Sequence, residues 1–212
     1  MTVAEELKSL ADECNDIAKQ VSEVIAKPGN DIRKMCFWNI HNRVKLSEEI
    51  MTMYERIWSN MPSGMINDDN RDEISDRVMT ITKDLYVDVL STIEKNMKDS
   101  LKFYTQSGLK ESALKRTSHL YMRNILLSCL ESKLIDKEIF EDWDVLLIIR
   151  NLAAHNNSVA DRDGRFRIGD MVISMRAGRM MKGPLDTYVI LTARVIRMYH
   201  GWLSMMSATF SS

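Results

Sequence analysis

Arg150 and His155 are the residue pair in this chain most suited to chemistry. Five apolar residues, Val145-Leu146-Leu147-Ile148-Ile149, run straight into Arg150, Asn151 follows at once, and His155 comes five positions after the arginine. A charge at the end of an otherwise buried helix is costly unless it is paired, so the arginine needs a reason to be there. A histidine that titrates near neutrality can take the proton from a ribose 2′-OH or give one to a leaving 5′ oxygen. An arginine can hold non-bridging phosphate oxygens with two parallel N–H donors while charge builds on them. The 2′-OH then attacks its own phosphate, which needs neither a water nucleophile nor a metal. Asn151 is placed to hydrogen-bond the phosphate or to fix the histidine tautomer. A purely structural account also covers both residues: Arg150 caps helix carbonyls or pairs with Asp144 or Asp142, and His155 sits at a helix C-terminus favoured by the dipole.

Five helical residues advance about 7.5 Å and rotate about 140° beyond a full turn, so the two side chains do not share one stripe of a straight helix. Two geometries would still join them. The helix could end at Ala154, with Asn156 or Asn157 in a left-handed cap that swings His155 back. Or a second copy could supply the complementary residues across a two-fold axis. The small Ala153 and Ala154 would let another backbone approach.

Arg150-Asn151-Leu152-Ala153-Ala154-His155 resembles the R-x4-6-H motif of the HEPN superfamily, including the asparagine that often follows the arginine. The setting is similar too: an apolar helix leading in, asparagines after the histidine, then a final amphipathic helix. The resemblance implies a compact helical bundle acting as a metal-independent endoribonuclease, with no cofactor. Arg150 and His155 would be its catalytic pair and Asn151 a supporting polar residue, in a composite site at a homodimer interface. It further implies RNA as substrate and a setting in toxin–antitoxin or phage-defence systems, with a nucleotidyltransferase-like antitoxin as partner. Some family members keep the fold as binding or sensing modules, which makes a non-catalytic nucleic-acid-binding or protein-interaction module the alternative. The match covers the motif and the helical context of the C-terminal half, and nothing in residues 1–71 is diagnostic. A hairpin between the motif and the last helix departs from the simplest family pattern.

A basic segment follows the motif. Between residues 161 and 182, Arg162, Arg165, Arg167, Arg176, Arg179 and Lys182 outnumber Asp161, Asp163 and Asp170 by three charges, in a chain whose net charge is only −1. Arg165, Arg167, Arg176, Arg179 and Lys182 could grip phosphates beside the motif. Charges that blunt a hairpin edge against aggregation explain them equally well. His41, His119 and His200 are isolated. The run Asp68-Asp69-Asn70-Arg71-Asp72 lacks the glycine and terminal glutamate of a calcium loop, and helix capping accounts for it better. No phosphate-cradling glycine loop, G-x-S-x-G or H-E-x-x-H is present.

The elements that must position the motif read as helices. Only 8 Gly and 3 Pro interrupt 212 residues, and hydrophobic residues make up 45%, enough for a substantial core. Thr2 and Glu5 have capping-box spacing, and Val3, Leu7, Leu10, Cys14, Ile17, Val21 and Val24 repeat at heptad-like steps behind them. A second helix is expected from about Ile32 to Trp58, with Ile32, Cys36, Ile40, Ile50, Tyr54 and Ile57 on or near one face. Residues 59–72 read as a polar loop, with Asp72 capping a third long helix. A fourth runs from about Glu111 to Ser132, a fifth starts at Asp136 and carries the motif, and a sixth follows Asp186. Arg165 to Met175 alternates partly at period two, the pattern of a short β-hairpin. The fold class is therefore all-α: an antiparallel bundle of about six helices with one short β-hairpin before the last. The chain divides into a helical hairpin (1–58), the loop (59–72) and a HEPN-like bundle (73–212), packed as one compact unit. Cys14, Cys36 and Cys129 are far apart, lack metal-ligand spacing and read as small buried hydrophobes in a reducing compartment. No signal peptide or membrane span is evident, so a cytoplasmic location is expected.

Overall fold

The computed structural model of the chain describes residues 2–25, 31–65, 67–105, 121–155, 159–161, 163–169, 171–179 and 183–210. Within them lie six α-helices and a two-stranded antiparallel hairpin placed before the last helix.

Helix α1 (Val3–Val24) begins as its first residues dictate. Thr2 Oγ1 accepts from the Glu5 amide at 3.2 Å, and Glu5 Oε2 accepts from the Thr2 amide at 2.8 Å. Its heptad-like stripe is buried from Leu7 to Val21, whereas Val24 faces solvent. Helix α2 (Ile32–Ser59) is capped by Asp31, whose carboxylate accepts from the Arg33 amide at 2.9 Å. The same carboxylate takes the Arg33 guanidinium, a buried charge whose cost is met by a charged partner and by the Phe103 ring 4.6 Å away.

The buried face of α2 differs from the expectation. Cys36, Phe37, Ile40, Val44, Ser47 and Met51 form it. Ile50 and Tyr54 are only half-buried and Ile57 is exposed. Val44, Ser47 and Met51 extend the Cys36–Ile40 face at helical steps, and the other apolar residues are left on the flank.

Helix α3 (Asp68–Thr105) is the spine, in contact with α2 and with every later helix. It starts before Asp72, because Asn67 Oδ1 accepts from the Asn70 amide at 2.9 Å and so caps the chain earlier. The expected polar loop shrinks to a tight link containing a 3₁₀ turn, Ser63–Met65. Helix α4 (Met122–Glu131) is the C-terminal part of the fourth expected helix, whose earlier residues lie outside those described. Lys133, with φ +60°, turns the chain into α5 (Lys137–His155), and Asp136 caps that helix by accepting from the Ile139 amide at 2.8 Å.

Strands β1 (Gly164–Ile168) and β2 (Met171–Met175) pair so that Arg165 faces Ser174 and Arg167 faces Val172. Ile168, Ile173 and Met175 turn inward, and β1 packs on α5. Helix α6 (Thr187–Phe210) follows Asp186 directly. Its Tyr199 stacks on Phe37 of α2 with centroids 5.4 Å apart and donates to Asn96 Oδ1 of α3 at 2.7 Å. Arg197 of α6 reaches Glu13 of α1 with two 2.7 Å bonds. Buried apolar residues from Ala4 to Met206 form one continuous cluster, so the N-terminal hairpin shares its core with the rest. No helix among the described residues is long and apolar enough to cross a membrane.

Candidate functional site

Helix α5 is fixed against α3 at the level of the motif. The wholly buried Tyr86 of α3 donates to the Leu146 carbonyl at 2.7 Å, one turn before Arg150. Tyr86, Leu90 and Glu94 follow at steps of four on α3, so one face of the spine meets α5 over two turns.

Arg150 extends into that contact. Its Nη2 donates to Ser91 Oγ at 3.0 Å and lies 3.8 Å from Glu94 Oε2, while Nη1 donates to Asn151 Oδ1 at 3.1 Å. The side chain stays 23% exposed, and Nε–H meets no acceptor among the described residues. That nitrogen is itself buried, so any donors left for a ligand are the second N–H groups of Nη1 and Nη2. Glu94 is shared: Lys98 Nζ lies 2.9 Å from its Oε1, and the Met122 amide donates to that oxygen at 3.4 Å. Arg150 thus sits above a carboxylate with two further claims on it, and a net positive charge remains at the surface.

The structural partners expected for Arg150 are engaged elsewhere. Asp144 pairs with Arg123 of α4 at 2.5 Å, and Asp142 pairs with Arg194 of α6 at 2.6 Å. Asp144 lies six residues before Arg150, about 240° around the helix and on another side of it. Asp142 is two turns away, beyond the reach of the guanidinium. Ser91 and Glu94 could not be identified from the sequence as the partners. The available signal was the polar set Ser91, Glu94 and Lys98 at helical spacing, one among several polar sets on the spine.

His155 is the last residue of α5, exposed, with no hydrogen bond or ion pair among the described residues. The helix runs through Ala154 to His155, so the geometry that required it to stop at Ala154 does not occur; Asn156 and Asn157 lie outside the described residues. Asn151 and Ala154 are exposed and Leu147 is half-buried, forming an outward ridge at steps of four and three. Taking Asn151 as the origin, Arg150 stands about 100° to one side and His155 about 40° to the other. The two motif residues flank one exposed ridge; they do not touch within the chain.

On the hairpin, Arg165 and Arg167 point outward and, with Phe166 and Val172, line a shallow hollow of about 440 Å³. Arg167 Nε also donates to the Gly169 carbonyl at 2.8 Å. Arg176 and Arg179 are exposed beyond β2, and Lys182 lies outside the described residues. Hydrogen bonds between Ala160 and both Gly178 and Arg179 tie the base of the hairpin to the segment leaving α5. The basic segment is therefore mounted on the motif helix. A larger cavity of about 480 Å³, between the start of α1, the end of α2 and the start of α3, contains no motif residue. Among the described residues, no three His, Cys, Asp or Glu side chains are grouped as a metal site.

Compared with protein-family models, curated proteins and solved structures, the chain gives no match.

Proposed function

We propose that this chain is a metal-independent endoribonuclease of the HEPN type. The observation that carries the reading is the arrangement on α5: a partly exposed Arg150 and an exposed His155 with no partner among the described residues, set on either side of the Leu147–Asn151–Ala154 ridge. A second copy packed on that ridge by a two-fold axis brings the Arg150 of each chain toward the His155 of the other. Arg150 then binds the scissile phosphate and offsets the charge that develops on it. His155 takes the 2′-OH proton or protonates the leaving 5′ oxygen. Asn151, already bonded to Arg150, orients the guanidinium. Arg165, Arg167, Arg176 and Arg179 supply phosphate contacts along the strand. A toxin or phage-defence role, with an antitoxin as partner, and a cytoplasmic location accompany the HEPN reading.

The test is RNA cleavage in EDTA by wild type, His155→Ala and Arg150→Lys. Loss of one general acid–base group or of bidentate phosphate binding should each lower the rate by about 10²-fold or more. Equal rates for all three, or no cleavage of any RNA by the wild-type dimer, would rule the reading out. One observation favours a second reading. The Ser91–Arg150–Glu94 contacts join α3 to α5 and give the arginine a structural purpose without catalysis. A non-catalytic nucleic-acid-binding or protein-interaction module of the same fold would bind a partner and cleave nothing.

A further inference from the structure

We propose that the outer face of α2 is a self-association surface, on which a second copy of this chain packs its own α2 antiparallel. Leu46, Ile50, Met53 and Ile57 lie on a stripe at steps of four, three and four. They fall within an arc of about 60°, some 120° around the helix from the buried face. Leu46, Met53 and Ile57 are 58%, 52% and 49% exposed, and Ile50 is half-buried. A single exposed apolar residue needs no explanation, but four in a row at the spacing of a coiled-coil seam do.

The occupant follows from the symmetry of the stripe. The spacing reads the same in both directions about a point between Met51 and Thr52. An antiparallel copy therefore sets Leu46 against Ile57 and Ile50 against Met53, each contact made twice. Charge agrees with this register. Glu49 and Arg56 sit one position before Ile50 and Ile57, on the rim away from α3, and both are exposed. Neither side chain has a hydrogen bond or ion pair among the described residues. In the antiparallel register these rim positions are the pair that meets across the seam, so Glu49 of each copy faces Arg56 of the other. In a parallel pairing this rim of one copy lies across the seam from the other rim of its partner, so Glu49 and Arg56 would not meet. The other rim is occupied: Arg43 pairs with Asp88 of α3, and Arg77 covers the Tyr54 ring. A seam of four residues per copy buries less than the roughly 800 Å² per partner of a standard interface, so the association is weak.

This surface stands apart from the α5 ridge, and the inference does not depend on the cleavage reading. With both faces in use, the chain assembles beyond a dimer. The experiment is sedimentation of the full chain over a concentration series, for wild type, Glu49→Arg, Arg56→Glu and the double exchange. Each single exchange turns two attractions into two repulsions and should weaken the concentration-dependent step by about 10-fold. The double exchange restores the opposite charges and should return it to near the wild-type value. Met53→Asp, at an exposed position, should abolish the step with the thermal midpoint unchanged. A mass series for Arg56→Glu that matches wild type overturns the proposal, as does a double exchange no better than the single ones. The readout is mass, so a failure here is distinct from a failure to cleave RNA.

Discussion

Glu94 of α3 lies 3.8 Å from Arg150 of α5, and its other oxygen is 2.9 Å from Lys98. The carboxylate partly neutralises the arginine and also holds it against the spine. These two effects separate in a variant. Glu94→Gln keeps the shape and removes the charge. Both side chains of the pair are mostly buried, so the loss should be about 1 kcal/mol, a few degrees in Tm. The freed positive charge should strengthen RNA binding over the same salt range. Thermal melts and fluorescence anisotropy with a single-stranded RNA read the two effects. A lower Tm with unchanged or weaker binding would show that Arg150 does not face the nucleic acid.

The parts of the fold that the sequence revealed are the ones whose causes are local. Thr2 and Glu5 make their capping box within one turn, Asp136 caps α5 from the adjacent position, and the alternation from Arg165 to Met175 is a property of neighbouring residues. The face of α2 was not legible in this way. Ile50, Tyr54 and Ile57 continue one apolar stripe from Cys36 as plausibly as Val44, Ser47 and Met51 continue another. The positions of α1 and α3 decide between them. At the site, the motif was visible but its support was not. Ser91 and Glu94 lie more than fifty residues before Arg150, and only the α3–α5 packing brings them to it. Asp144 is near in sequence yet on another side of the helix, and Asp142 is two turns away along it.

His200 gives a pH dependence on the acid side. Burial beside the Phe37 ring lowers its pKa below the usual imidazole value, against a smaller opposing effect of Glu13. The unfolded chain therefore binds the proton first. Stability is full above the unfolded pKa of about 6.5 and declines as pH falls through it toward the folded value. His200→Gln should flatten the change in Tm between pH 7 and pH 5. An unaltered slope would place the acid sensitivity in other groups.

Glu6 works in the opposite direction. Burial first, and the neighbouring Asp186 second, raise its pKa above the ordinary carboxylate value, and its Oε2 has no partner among the described residues. A raised carboxyl pKa means that the folded state holds the proton more tightly than the unfolded chain. Its contribution is present below the unfolded value of about 4.3 and is lost as pH rises through the folded pKa. At neutral pH the charged Glu6 therefore opposes the approach of α1 to the start of α6, where Asp186 stands. Glu6→Gln removes that repulsion and leaves the capping box untouched, because Thr2 and Glu5 supply it. The variant should melt higher than wild type at pH 7, with the difference closing toward pH 4. A difference that persists unchanged at pH 4 would mean that packing, not charge, separates the two proteins.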